Sequence, residues 1–165
     1  MRRILFYGEL PPNVTHGVSI SNFRILNVLR KKNSVEIIED VSCFQGFFLK
    51  LYNFFVSLVK LFSTAVRKVD VLYLNCPTSL LGQVKVTIFV TLSKIIHPKV
   101  KVISHLHRGD SDVFLKKRVN FFIFKVNLFL FDRVLVLSTI SKKQLITSFP
   151  YFESKFLVLR NTVDI

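Results

Sequence analysis

The sequence predicts an α/β fold: a doubly wound, mostly parallel sheet of six strands with helices packed on it. Two observations predict it. Short apolar, often β-branched runs closed by turn residues recur along the 165 residues and read as buried parallel strands. Longer segments with helical spacing separate them, and that alternation is the pattern of a parallel sheet with right-handed crossovers. Composition agrees with this. Half the residues are hydrophobic and 18 are Phe, which excludes disorder, and the length suits one domain with a substantial core.

The first strand is the apolar run Ile4–Tyr7, ended by Gly8. Pro11 and Pro12 forbid a helix in the next loop, and Gly17 lets its backbone turn or approach a ligand closely. Ser19 or Ser21 is the expected cap of a helix reaching Lys32, with Phe23, Ile25, Leu26 and Leu29 mostly on one face. Val35–Glu39 is a shorter second strand, nearer a sheet edge. From Phe47 to Lys68, the residues Lys50, Asn53, Ser57, Lys60, Thr64 and Arg67 fall at steps of three and four. They form a narrow polar stripe on a helix whose apolar arc is wider than one sheet contact needs.

Asp70–Asn75 is the third strand, ended by Cys76 and Pro77, and a helix over Ser79–Ile96 stops before Pro98. The stretch Lys99–Asp110 begins as the fourth strand and ends in a cluster of His, Arg, Gly and Asp. Phe114–Phe131 repeats the pattern of the second helix, broken by Lys116, Lys117, Asn120, Lys125 and Asn127. Asp132–Ser138 is the fifth strand, Ile140–Phe149 a short helix with Ser141 as its cap, and Lys155–Leu159 the sixth strand. Six such strands commonly run 3-2-1-4-5-6, a Rossmann-like order that sets the first beside the fourth. Ligands then bind outside the carboxyl ends of the strands where the order reverses. The expected site is a cleft shared by Gly8–Gly17 and His107–Asp112.

The formal charge of +14, from 24 Lys and Arg against 10 Asp and Glu, predicts attraction to phosphate-bearing ligands, acidic lipid surfaces or nucleic acid. Scattered lysines without a recognition motif argue against nucleic acid. Cys43 and Cys76 stand at no metal-like spacing and suit a reducing cytosol. The N-terminal apolar run is too short for a signal peptide. No stretch reaches ~18 uncharged apolar residues, since Lys50 and Lys60 interrupt the best one. The expectation is a cytoplasmic protein. Its two Phe-rich basic helices fit either an anionic bilayer interface on the inner face of the cell membrane or burial against the sheet and a neighbouring domain.

His105 and His107 share a strand face by the period of two. At the exit, His107 can hydrogen-bond a substrate oxygen as donor or acceptor, or be held half-buried by a structural bond. His105 should sit deeper, and no third ligand for a two-His metal site is evident. Asp110-Ser111-Asp112 has a D-x-D pattern suited to magnesium or manganese. It precedes a helix, however, so capping by Ser111 or Asp112 is the preferred reading. Gly17 could set helix amides against a phosphate, and Arg108 could pair with one; a surface glycine and a solvated arginine are the plain alternatives.

The order of elements, the Pro-containing loop ending at Gly17, the strand ending in His107, and Asp132–Ser138 followed by Lys142-Lys143-Gln144-Leu145 resemble a known family. They look like the amino-terminal domain of a GT-B-fold glycosyltransferase of the group-1, family-4 class. Phe156–Asp164 resembles that class's V-I-P-N-G-V-D segment, which leads into a second domain. The resemblance implies metal-independent, retaining transfer of a sugar from a nucleotide-sugar to a cell-surface glycan or lipid-linked acceptor, with no cofactor. It implies His107 as catalytic, Gly17 and Arg108 at the donor phosphates, and His16, Asp110 and Ser138 on the acceptor side. His16 stands where a paired glycine is common, and Thr162 replaces the glycine of the tail motif. In that class a carboxyl-terminal domain grips the donor through a basic residue and two glutamates. That domain would follow Ile165, so the chain by itself is expected to be an inactive half. The alternative is a non-catalytic module that binds an anionic ligand or a membrane surface.

Overall fold

The computed structural model describes residues 1–41, 46–107 and 111–159. It contains a six-stranded, all-parallel open sheet flanked by helices, in the order β2-β1-β3-β4-β5-β6. The strands are β1 Arg3–Gly8, β2 Ser34–Glu39, β3 Val71–Asn75, β4 Lys101–Leu106, β5 Arg133–Val136 and β6 Phe156–Val158. The helices are α1 Gly17–Arg30, α2 Phe47–Ser63, α3 Leu80–Ile96, α4 Ser111–Leu115, α5 Arg118–Leu130 and α6 Thr139–Ser148.

The α/β class therefore holds, but the expected order 3-2-1-4-5-6 is corrected: β3, not β4, lies beside β1. Burial is the physical reason. Val71, Leu72, Tyr73 and Leu74 of β3 are all buried, and an edge position would strip them of one neighbour. Strand β2 keeps only Ile38 fully buried and carries Glu36 and Glu39, which suit an edge. The reversal of strand order consequently falls between β1 and β3.

Two compact units make up the chain, the first spanning Met1–Leu74 and Leu92–Lys101. At its centre Ile4 of β1 is in register with Val35 on one side and Val71 on the other. Phe6 stacks on Tyr73 with ring centroids 5.2 Å apart. The Asp70 carboxylate accepts from the Arg3 N–H at 2.9 Å, and the Asp70 N–H donates back to the Arg3 carbonyl. Helix α1 is capped by His16 rather than Ser19 or Ser21; Ser19 sits three residues on and accepts from the His16 N–H at 2.9 Å.

Helix α2 packs inward through Phe54, Ser57, Leu61 and, just past its end, Thr64, while most of its aromatic residues face out. The inward hydroxyls are satisfied locally: Ser57 donates to the Asn53 carbonyl and Thr64 to the Leu61 carbonyl. With its proton so committed, Thr64 Oγ1 accepts from Nε2 of buried His97 at 3.0 Å. Burial lowers the His97 pKa, so this imidazole stays neutral and donates.

The second unit spans Asn75–Thr91 and Val102–Ile165. Ser104, Val134 and Phe156 lie in register across β4, β5 and β6 and are fully buried. Ser79 caps α3 by accepting from the Gly82 N–H at 3.1 Å. A Cβ at Gly82 would meet the Pro77 ring at 2.6 Å, so glycine is what lets the helix start against that proline. The single helix expected over Phe114–Phe131 is two, α4 and α5, and Asn120 Nδ2 donates to the Phe114 carbonyl at the break. Lys155 Nζ closes the other end of α5, donating to the Leu128 and Phe131 carbonyls at 2.7 Å each.

Candidate functional site

The loop leaving β1 is organised by His16. Its Nδ1 accepts from the Val18 and Ser19 N–H groups at 3.1 and 3.4 Å, and its Nε2 lies 2.9 Å from a Glu9 carboxylate oxygen. A nitrogen that accepts carries no proton, so Nε2–H is the tautomer that fits, and it donates to Glu9. Both ring nitrogens are thus engaged within the loop. The same bonds use two of the amides that could have held a phosphate at the start of α1.

Gly17 itself is exposed, has no positive φ, and a Cβ there would meet nothing within 4 Å. The backbone does not require glycine at this position; only a ligand lying against it would. Gly17→Ala is therefore expected to stabilise the fold by about 0.4–1 kcal/mol through the unfolded chain, read as a small rise in Tm. A fall in Tm would show that the loop itself depends on glycine.

Around this loop the strand ends are acidic, in contrast to the chain as a whole. Asn13 Nδ2 donates to both carboxylate oxygens of Glu39 at 3.1 Å. The buried Tyr7 hydroxyl donates to Asp40 at 3.2 Å, and burial, then the Asp40 charge, raise its pKa well above the ordinary tyrosine range. Asn22, fully buried, donates to the Glu9 carbonyl at 2.9 Å, while its Oδ1 has no hydrogen-bond partner among the described residues. Carboxylates in this setting disfavour a phosphate. Among the described residues no group of three or more His, Cys, Asp or Glu is placed to hold a metal ion.

In the second unit the end of β4 carries the histidine pair. His105 is fully buried and His107 half-buried, and their rings lie 3.8 Å apart, tilted by 34°. The Cys76 N–H donates to the His105 carbonyl at 2.8 Å, which fixes the backbone just before His107. Burial, aided by repulsion from His107, pushes the His105 pKa down to about 3, so His105 is neutral at physiological pH. This neutral ring packs against His107 and adds no charge beside it.

No protein-family model matches this sequence, and no curated protein matches it.

Ser138, expected on the acceptor side, caps α6: its Oγ accepts from the Ser141 N–H at 3.0 Å and lies 3.0 Å from the Ser141 hydroxyl. Ser138, rather than Ser141, is therefore the cap. Arg108 and Asp110 lie outside the described residues. With β3 standing between β1 and β4, the loops of Gly17 and His107 leave strands that are not neighbours.

Sequence reasoning missed a buried polar chain. Gln83 Nε2 donates to the Pro77 carbonyl and lies 3.5 Å from Cys76 Sγ. Asn127 Nδ2 donates to Gln83 Oε1 at 2.5 Å, and Thr87 donates to Asn127 Oδ1 at 2.9 Å. The available signal was the pairing of Gln83 with Thr87 four residues on, and of Asn120 with Asn127 seven on, each on one helix face. Burial raises the Cys76 thiol to about 11, so it is protonated at neutral pH and unsuited to nucleophilic work.

Proposed function

We propose that the chain is the acceptor-side half of a retaining glycosyltransferase of the GT-B kind. It would act with a donor-binding domain on a nucleotide-sugar and a glycan or lipid-linked acceptor at the cytoplasmic face of the membrane. The observation that carries this reading is His107, half-buried at the carboxyl end of a parallel strand with a neutral histidine stacked behind it. Ligands bind outside the carboxyl ends of the strands of such a sheet, and His107 lies at such an end, although the reversal of strand order falls at β1 and β3. The resemblance in the sequence supports it further.

In this reading His107 hydrogen-bonds the reacting hydroxyl and sets its direction, and Ser138 acts by fixing the start of α6 as His16 fixes that of α1. Transfer would need no metal. His107→Ala in the protein acting with its donor-binding domain is expected to lower kcat about 10²–10⁴-fold, with a smaller change in acceptor KM. Unchanged turnover would remove His107 from the reaction. Coding sequence downstream of residue 165 that specifies a second α/β domain with a glutamate pair would support the reading, and unrelated sequence there would end it.

A further inference from the structure

We infer that the outer face of α2 docks on an anionic lipid bilayer. Phe48, Tyr52, Phe55, Val59, Phe62 and, just beyond the helix, Val66 are all exposed, with Phe48 at 84%, Val59 at 69% and Val66 at 91%. Their spacing of four, three, four, three, four places them in one straight stripe. The opposite face, which packs on the protein, holds the hydroxyls of Ser57 and Thr64. This helix turns part of its polar side inward and its aromatic side outward, the reverse of a helix selected only to cover a sheet. An apolar surface of this extent on a single element marks a docking face.

Charge selects the occupant. Between Asp40 and Asp70 the sequence has no acidic residue and four basic ones, Lys50, Lys60, Arg67 and Lys68. Lys60 follows Val59 by one residue, about 100° round the helix, and Arg67 is exposed four residues past the helix's last residue, next to Val66. Their cationic heads can reach headgroups while the aromatic rings enter the acyl boundary. Lys68 also pairs with Asp70 at 3.1 Å and Arg67 with Glu36 at 3.5 Å, both at exposed positions where such pairs are weak. A second copy of this chain is the poorer occupant. It would bring another +14 against the first, and α2 offers no carboxylate to alternate with lysines across a helix pair. Among the described residues no helix is long and apolar enough to cross a membrane, so α2, 17 residues long, would lie along the surface.

This inference does not depend on the transfer reading, since a module without catalysis would dock in the same way. The test is sedimentation of the full chain with vesicles of phosphatidylcholine alone or with a third phosphatidylglycerol, at low and high salt. Binding is expected to the anionic vesicles only, and to weaken steeply as salt rises. Phe55→Ser with Phe62→Ser should weaken binding about tenfold or more with an unchanged far-UV spectrum, because both side chains point away from the core. Lys60→Glu is a second variant that should also lose the anionic preference. Equal recovery with and without vesicles would overturn the inference, as would undiminished binding by the Phe55/Phe62 variant. Self-association that those two substitutions abolish, without lipid binding, would assign the face to a second copy instead.

Discussion

Lowering the pH from 7 to 4 is expected to cost this fold roughly 3 kcal/mol through His105 alone. Its pKa is about 3 in the folded chain against 6.5 when free. Above pH 6.5 neither state binds this proton, and the full stability is present. Below 6.5 the unfolded chain takes up a proton that the folded one refuses, so stability falls with each unit until pH nears 3. His97, shifted in the same direction by burial, adds a loss of the same sign. The measurement is the urea midpoint of the wild type and of His105→Leu at pH 7 and pH 4. The variant should lose distinctly less on acidification, whatever its stability at pH 7. An equal loss in both proteins would show that His105 is not the group titrating.

Asn127→Leu is expected to destabilise by about 1–3 kcal/mol, although it adds apolar surface in a buried place. It leaves Gln83 Oε1 without its buried partner, while the Thr87 hydroxyl can still donate to the Gln83 carbonyl at 2.8 Å. Removing both sides of such a bond costs less than removing one. Gln83→Met combined with Asn127→Leu should therefore lose less than the two single losses added, with a coupling of about 1 kcal/mol or more from denaturant titrations. Strict additivity would mean that the two amides do not act as a unit.

The strands were legible because burial on both faces leaves a strong mark. Val71–Leu74 and Val134–Leu137 are unbroken apolar runs, and each lies in or overlaps a strand. Strand order was not legible, because a choice between neighbours depends on pairings over long sequence separations. The hint was present, however, in the charged character of Ser34–Glu39 against the apolar Val71–Asn75. Helix orientation was not legible for a different reason. The polar residues of α2 and α5 keep the right period, but Ser57, Asn120 and Asn127 face inward with their bonds met by neighbouring groups. Period gives a stripe and not its direction. At the candidate site, His16 was visible as a residue but not as a cap. A histidine that accepts from two amides while donating to a carboxylate follows from where Glu9 falls in the folded loop.

The place of β1 between β2 and β3 bears on how the chain is made. Its partner on one side, Ser34–Glu39, leaves the ribosome early, but the other, Val71–Asn75, comes only after α2 has been synthesised. Until then one rail of backbone amides and carbonyls on the amino-terminal strand has no partner, and the Arg3 to Asp70 bonds that close it span 67 residues. Such distant closure is slow. The nascent chain thus passes through an interval in which a largely buried apolar strand has an open side, and chaperone protection in that interval should matter more to yield than the stability of the finished fold.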